Sequence, residues 1–146
     1  LWTLTHNTDF AKAFVGIMAN PAAIGEAVHI TSDETLTWNA IYDAIGQALG
    51  VTVKKVHVPS GFLAACDPEY EGTLLGDKAY SVVFDNSKIK RLVPGFTATV
   101  RFDQGVRMSL EYIMSHPELQ VPDEEFDRFC DRVIEAWDKA LEFFRS

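Results

Sequence analysis

The side chains that most often do chemistry are thinly spread in this sequence. Cys66 and Cys130 lie far apart, and His6, His29, His57 and His116 each stand alone. A zinc site draws on closely spaced ligand pairs, and neither Cys-x-x-Cys nor His-x-x-x-His occurs, so no metal ligand is assigned. A Cys–His nucleophile needs only proximity in space, which sequence leaves open. Cys66 in Leu63-Ala64-Ala65-Cys66 and Cys130 beside Phe129 read instead as buried small hydrophobes. The candidates for lining a substrate cleft are Trp2, His29, Trp38 and Phe62. Two of them have a plainer alternative: Trp38 as a core residue of its helix, His29 as a hydrogen-bonded structural histidine. Asp9 fits a helix cap or a buried acceptor, and Lys88 and Arg91 fit a solvated helix face.

The elements that must position these residues alternate between helix and strand. Residues 8–19 predict a helix with Thr8 or Asp9 as cap, an apolar stripe of Phe10, Phe14, Ile17 and Met18, and a stop at Asn20-Pro21. Residues 26–31 predict a strand with Val28 and Ile30 on one face and His29 on the other. Thr37 caps a second helix carrying Trp38, Ile41, Ile45 and Leu49, with Gly50 at its C-terminal end. Residues 53–58 are β-rich up to Pro59, Ser60 caps a short helix through Cys66, and residues 67–78 predict an exposed loop. A brief apolar run at 80–84 precedes a helix over 88–92 that ends at Pro94-Gly95. Asp103 caps a further helix closed by His116-Pro117. The last helix, 123–144, repeats apolar residues every three or four positions from Phe126 to Phe144, with Asp123, Glu124 and Glu125 at its start and Arg145 at its end. This order argues an α/β fold with few strands, two of them clear and two fragmentary (residues 2–5 and 80–84).

The chain has 146 residues, enough for one ordinary domain with a real core. Hydrophobic residues make up 47% and charged residues 23%, which excludes general disorder. Thirteen Lys and Arg against 21 Asp and Glu give a formal net charge of −8. That sign disfavours nucleic acid, bound by neutralising phosphates, and an anionic membrane surface. No apolar run approaches the length of a spanning helix and no signal-peptide pattern is visible, so a cytoplasmic location with free thiols is expected. The opening residues Leu1-Trp2-Thr3-Leu4-Thr5 begin as if inside a strand. Strands need partners on their edges, so other strands, outside this sequence, are expected to complete the thin sheet.

Several segments, in order, resemble the NAD-dependent epimerase/dehydratase family, the extended or atypical short-chain dehydrogenases/reductases. His6-Asn7-Thr8-Asp9-Phe10-Ala11-Lys12-Ala13 is similar to the family's H-V-x-D-x-A-x-A segment. Gly25-Glu26-Ala27-Val28-His29-Ile30 is similar to its G-E-x-F-N-I-G strand, and Thr37-Trp38-Asn39-Ala40-Ile41 to its T-W-x-E-L helix opening. Asp85-Asn86-Ser87-Lys88-Ile89-Lys90-Arg91-Leu92 resembles D-x-S-K-A-x-R-L, and Phe102-Asp103-Gln104-Gly105-Val106-Arg107 resembles L-E-E-G-L-R. The resemblance covers about residues 5–112.

The resemblance implies the C-terminal, substrate-binding portion of a Rossmann-type fold over residues 1–117, with residues 118–146 as an amphipathic helical extension. It implies an oxidoreductase, epimerase or dehydratase (isomerase) activity of the parent, using NAD or NADP held by a Gly-rich turn at a helix N-terminus. None of the nine glycines forms that turn. The family's Tyr-x-x-x-Lys is also absent: Gly46, Leu74, Phe84 and His116 stand four residues after Tyr42, Tyr70, Tyr80 and Tyr112. A tyrosine general acid/base needs a neighbouring cation to bring its pKa down. This chain is therefore expected to carry no catalytic and no cofactor-binding residue, and to be inactive alone. Trp2 and Leu74-Leu75 stand where nucleotide-sugar members place phosphate-binding arginines, which points to a less anionic substrate. The expected partners are a small-molecule substrate, a dinucleotide-binding half and, through the last helix, a second copy of the chain. The alternative from a different class is a freestanding, non-catalytic binding or interaction module derived from this fold.

Overall fold

The computed structural model describes residues 1–144. In chain order they form β1 (Trp2–Thr3), α1 (Asn7–Met18), a 3-10 turn (Pro21–Ala23), β2 (Thr35–Leu36), α2 (Trp38–Leu49) and α3 (Ser60–Cys66). A π-helical stretch (Glu71–Lys78), α4 (Ser87–Leu92), α5 (Phe102–Met114), a second 3-10 turn (Pro117–Leu119) and α6 (Glu124–Phe143) follow. The described residues are thus mostly helical, with a two-stranded sheet. The expected C-terminal position of Arg145 on the last helix lies outside the described residues. No helix among them is long and apolar enough to cross a membrane.

The described chain divides into two units: residues 1–53 with 81–115, and residues 54–80 with 116–144. In the first, local capping chemistry sets most helix ends. Thr37 Oγ1 accepts from the Ala40 amide at 3.1 Å, and Gly50 closes α2 with φ of 70°, as the sequence predicts. Asn20 Oδ1 accepts from the Ala22 amide just before Pro21, so α1 ends where expected. The cap of α1 differs from expectation. His6, rather than Thr8 or Asp9, holds the N-cap position, its Nδ1 accepting from the Thr8 amide at 3.4 Å. Asp103 does not cap α5 either: its carboxylate pairs with Arg101 at 2.9 Å. The Phe102 amide donates instead to Glu34 Oε2 at 2.8 Å, and Gln104 Oε1 accepts from the Arg101 amide. An orphan N–H of the first turn is met by a carboxylate from the turn before β2.

The inward face of α1 also departs from the apolar pattern. Phe10, Phe14 and Met18 are 45%, 47% and 72% exposed, while Asp9 and Ala13 are fully buried. Ala13 packs with Ile89 and Phe96, and Ile17, Val28, Ile30, Val93 and Ala98 close around them. Small residues win this face because the neighbouring chain comes close. A Cβ on Gly16 would lie 2.7 Å from Val93 Cγ1. Across the unit, α2 packs against α5.

The expected strands at 26–31, 53–58 and 80–84 do not form a ladder. The sheet is one antiparallel pair with Trp2 opposite Leu36 and Thr3 opposite Thr35, not a parallel Rossmann sheet. The physical reason is a lack of partner strands among the described residues. Val28 and Ile30 still point inward and His29 outward, with the alternation a strand would have. Side chains take over part of the backbone pairing: Lys88 donates to the Ala27 carbonyl and Asn86 to the Thr31 carbonyl. Residues 80–84 keep a single rung, the Val82 amide donating to the Leu1 carbonyl at 2.8 Å.

In the second unit, α3 packs against the π-helical stretch, in a region where the sequence predicts a loop. Ser60 is the first residue of α3 rather than its cap, and Pro59 at the cap position offers no side-chain bond. Asp123 does cap α6, accepting from the Phe126 amide at 3.0 Å. Val133 is the most buried residue of the α6 stripe, whereas Phe126 and Phe144 at its ends are exposed.

Candidate functional site

Two of the four predicted substrate-lining residues meet. Trp2 is fixed by its place on β1, opposite Leu36. Two residues beyond Leu36, Trp38 opens α2 immediately after the Thr37 cap. That short path brings the indoles to a centroid separation of 5.5 Å, tilted by 32°. Trp38 is 39% exposed and Trp2 half-buried, so this is a rim position and not the core position that its helix stripe allows. Ile41, one turn inward, takes the core role. Tyr42, four residues after Trp38 and therefore on the same helix face, is half exposed. Sequence reasoning missed Tyr42; the i, i+4 spacing from Trp38 was the signal that could have found it.

His29 lies elsewhere on the first unit. Its ring meets Phe84 edge-on at 4.9 Å. Beside it Asp85 accepts from the Ser87 amide at 2.8 Å, and that bond, with the nearby Arg91 and His29, holds its carboxyl below the usual range. Lys88 pairs with Glu26 at 2.9 Å and Arg91 donates to Ser87 Oγ, so both cations of the supposed solvated face are engaged. Phe62 belongs to the second unit, where it meets Trp137 edge-on at 5.4 Å, and Tyr70 stacks on Phe129 at 5.6 Å.

The most constrained polar group is Asp9. Its Oδ2 accepts from the Thr99 amide at 2.9 Å and the Val100 amide at 2.8 Å, and its Oδ1 from Lys12 Nζ at 2.9 Å. Burial pushes this carboxyl up. The Val100 amide, Lys12 and the Thr99 amide together outweigh burial and hold the pKa at about 2. Asp9 is thus an ionised clasp between α1 and residues 99–100, with no lone pair left facing a substrate. Of the two sequence readings for Asp9, the buried acceptor is the one that stands.

The thiols differ from each other. Both are free, but Cys66 is exposed, contrary to the buried role expected of it, and only Cys130 is half-buried. Burial, with Asp127 and Asp131 nearby, pushes the Cys130 thiol up, which disfavours a thiolate nucleophile there. Among the described residues no group of three or more His, Cys, Asp or Glu is placed to hold a metal ion.

A dinucleotide cradle needs a glycine turn leading into a helix N-terminus. The glycines with positive φ, Gly25, Gly50 and Gly95, sit singly after a 3-10 turn, at the end of α2 and after α4. They do not fit a nicotinamide dinucleotide.

Comparison with known proteins gives one distant similarity. Over 95 residues, 65% of the chain, the sequence is 33% identical to a 2'-dehydrokanamycin reductase of Streptomyces kanamyceticus. The match covers 27% of that protein, so the chain spans about a quarter of the length of the curated relative it matches. No family model matches the chain. No solved structure matches it.

Proposed function

We propose that this chain is the substrate-side portion of an NAD(P)-dependent oxidoreductase of the epimerase/dehydratase type. The cofactor and the catalytic tyrosine and lysine belong to a companion half. The similarity to a reductase is the observation that carries the reading. It is supported by motifs that follow the family's order from His6 to Arg107 and by the absence of a glycine cradle in the described residues. The parent reaction is hydride exchange between nicotinamide and a carbinol or ketone. This chain contributes contact surface: Trp2 and Trp38 as a pair, with His29 as a further candidate on the same unit. None of these side chains moves a proton or a hydride. The substrate is a ring compound of low negative charge, since the positions that would hold a diphosphate are Trp2 and Leu74-Leu75.

The test is the reading frame and its product. An upstream sequence encoding a Gly-rich turn and Tyr-x-x-x-Lys, whose full product oxidises NADPH when given a keto sugar, is the expected result. A full product that lacks those motifs, or that carries them and leaves the cofactor unchanged with every ketone offered, would overturn the reading in favour of a non-catalytic binding module.

A further inference from the structure

We infer that the Trp2–Trp38 pair, extended along α2 by Tyr42, is a stacking platform for a sugar ring that is neutral or ammonium-bearing, and that it rejects phosphorylated sugars. The inference deepens the substrate-side reading above and rests on it. Three observations carry it. The first is rigidity: Trp2 is held by the β1–β2 register and Trp38 by a capped helix start, so both rings are ordered before anything binds. The second is exposure. Two indoles 5.5 Å apart at a rim, one of them 39% open, with a half-exposed Tyr42 one turn away, present aromatic faces to solvent. An aromatic face carries negative electrostatic potential, which attracts the polarised C–H groups of a sugar ring and attracts an ammonium group more strongly. The third is charge. β1, β2 and α2 contain no lysine or arginine and one carboxylate, Asp43, within a chain of net charge −8. No charged side chain of these elements can pair with a phosphate, as an arginine or lysine would.

The experiment titrates one ring with three charges: glucosamine, methyl glucoside and glucose 1-phosphate, each into the 146-residue chain by calorimetry. The expected order is glucosamine tightest, then methyl glucoside, with glucose 1-phosphate at least about tenfold weaker than glucosamine. Trp38→Ala is expected to weaken glucosamine about tenfold, and Trp38→Phe, which keeps an aromatic face, less than threefold, with far-UV circular dichroism unchanged in both. In a Trp137→Phe background the remaining tryptophan emission should change saturably with glucosamine. The inference is overturned by glucose 1-phosphate binding as tightly as glucosamine, by Trp38→Ala leaving affinity unchanged, or by none of the three binding. A response that salt abolishes and Trp38→Ala leaves intact, a diffuse attraction to the acidic chain, also overturns it. Failure here is separable from failure of the redox reading. Sugar binding by a chain whose full-length protein never oxidises a cofactor sinks only the latter. A working reductase whose KM ignores Trp38 sinks only the platform.

Discussion

Replacing Asp9 should be the most damaging single polar change in the first unit. Its buried carboxylate holds the Thr99 and Val100 amides at 2.9 and 2.8 Å and Lys12 at 2.9 Å. In Asp9→Ala both amides lose their acceptor, at about 1–3 kcal/mol for each buried donor left without a partner. A total of about 3–5 kcal/mol is expected, a large part of a typical domain's stability. Asp9→Asn keeps the shape and can leave its oxygen on both amides, but its NH2 then faces the Lys12 ammonium, donor against donor, and about 2–3 kcal/mol is expected. Urea unfolding followed by circular dichroism at pH 7 reads both values. The pH dependence supplies a second check. The folded carboxyl titrates at about 2, below its ordinary 3.8. Its contribution is therefore complete above the unfolded value and lost as pH falls through the folded one, between about pH 5 and pH 2. That gap corresponds to about 2 kcal/mol by which the difference between wild type and Asp9→Asn should shrink on acidification. An Asn variant within about 0.5 kcal/mol of wild type at pH 7, the level of an ordinary surface substitution, would refute the clasp.

Four further outcomes follow from the geometry. Gly105→Ala should cost about 1–3 kcal/mol in urea, because its Cβ would stand 2.8 Å from the His6 ring at the start of α1. Thr37→Ala should cost about 1 kcal/mol by removing the α2 cap, read by the same denaturation. Thr31→Val should be neutral or stabilising by up to about 1 kcal/mol, since the buried Thr31 hydroxyl has no hydrogen-bond partner; a loss would show that the hydroxyl is satisfied. A thiol reagent should modify Cys66 quickly at neutral pH and Cys130 much more slowly, measured by peptide mass spectrometry.

Helix ends were legible in the sequence because caps are local. Thr37, Gly50, Asn20-Pro21 and Asp123 act within one turn of themselves, and each does what its type suggests. What depends on distant chain was not legible. The inward face of α1 is Asp9, Ala13, Gly16 and Ile17, chosen by the closeness of Val93 and by the amides of residues 99 and 100, neither of which leaves a mark on the periodicity of residues 8–19. The strand-like composition of 26–31 and 53–58 reports side-chain fit to a pleated surface, whereas a ladder needs a neighbour. Trp2 and Trp38 were named as separate candidates, and only the β1–β2 register shows that they form one surface. Phe62 was named without its partner Trp137, which lies on α6.

The central claim is that this chain serves the substrate side of a reductase and does not hold the cofactor. Calorimetric titration of NADH and of NADPH into the 146-residue chain tests it most directly. The account predicts no saturable binding of either dinucleotide at micromolar concentrations. Micromolar, saturable binding of one of them would contradict it, since it would require a phosphate cradle that the glycines at positions 25, 50 and 95 do not provide.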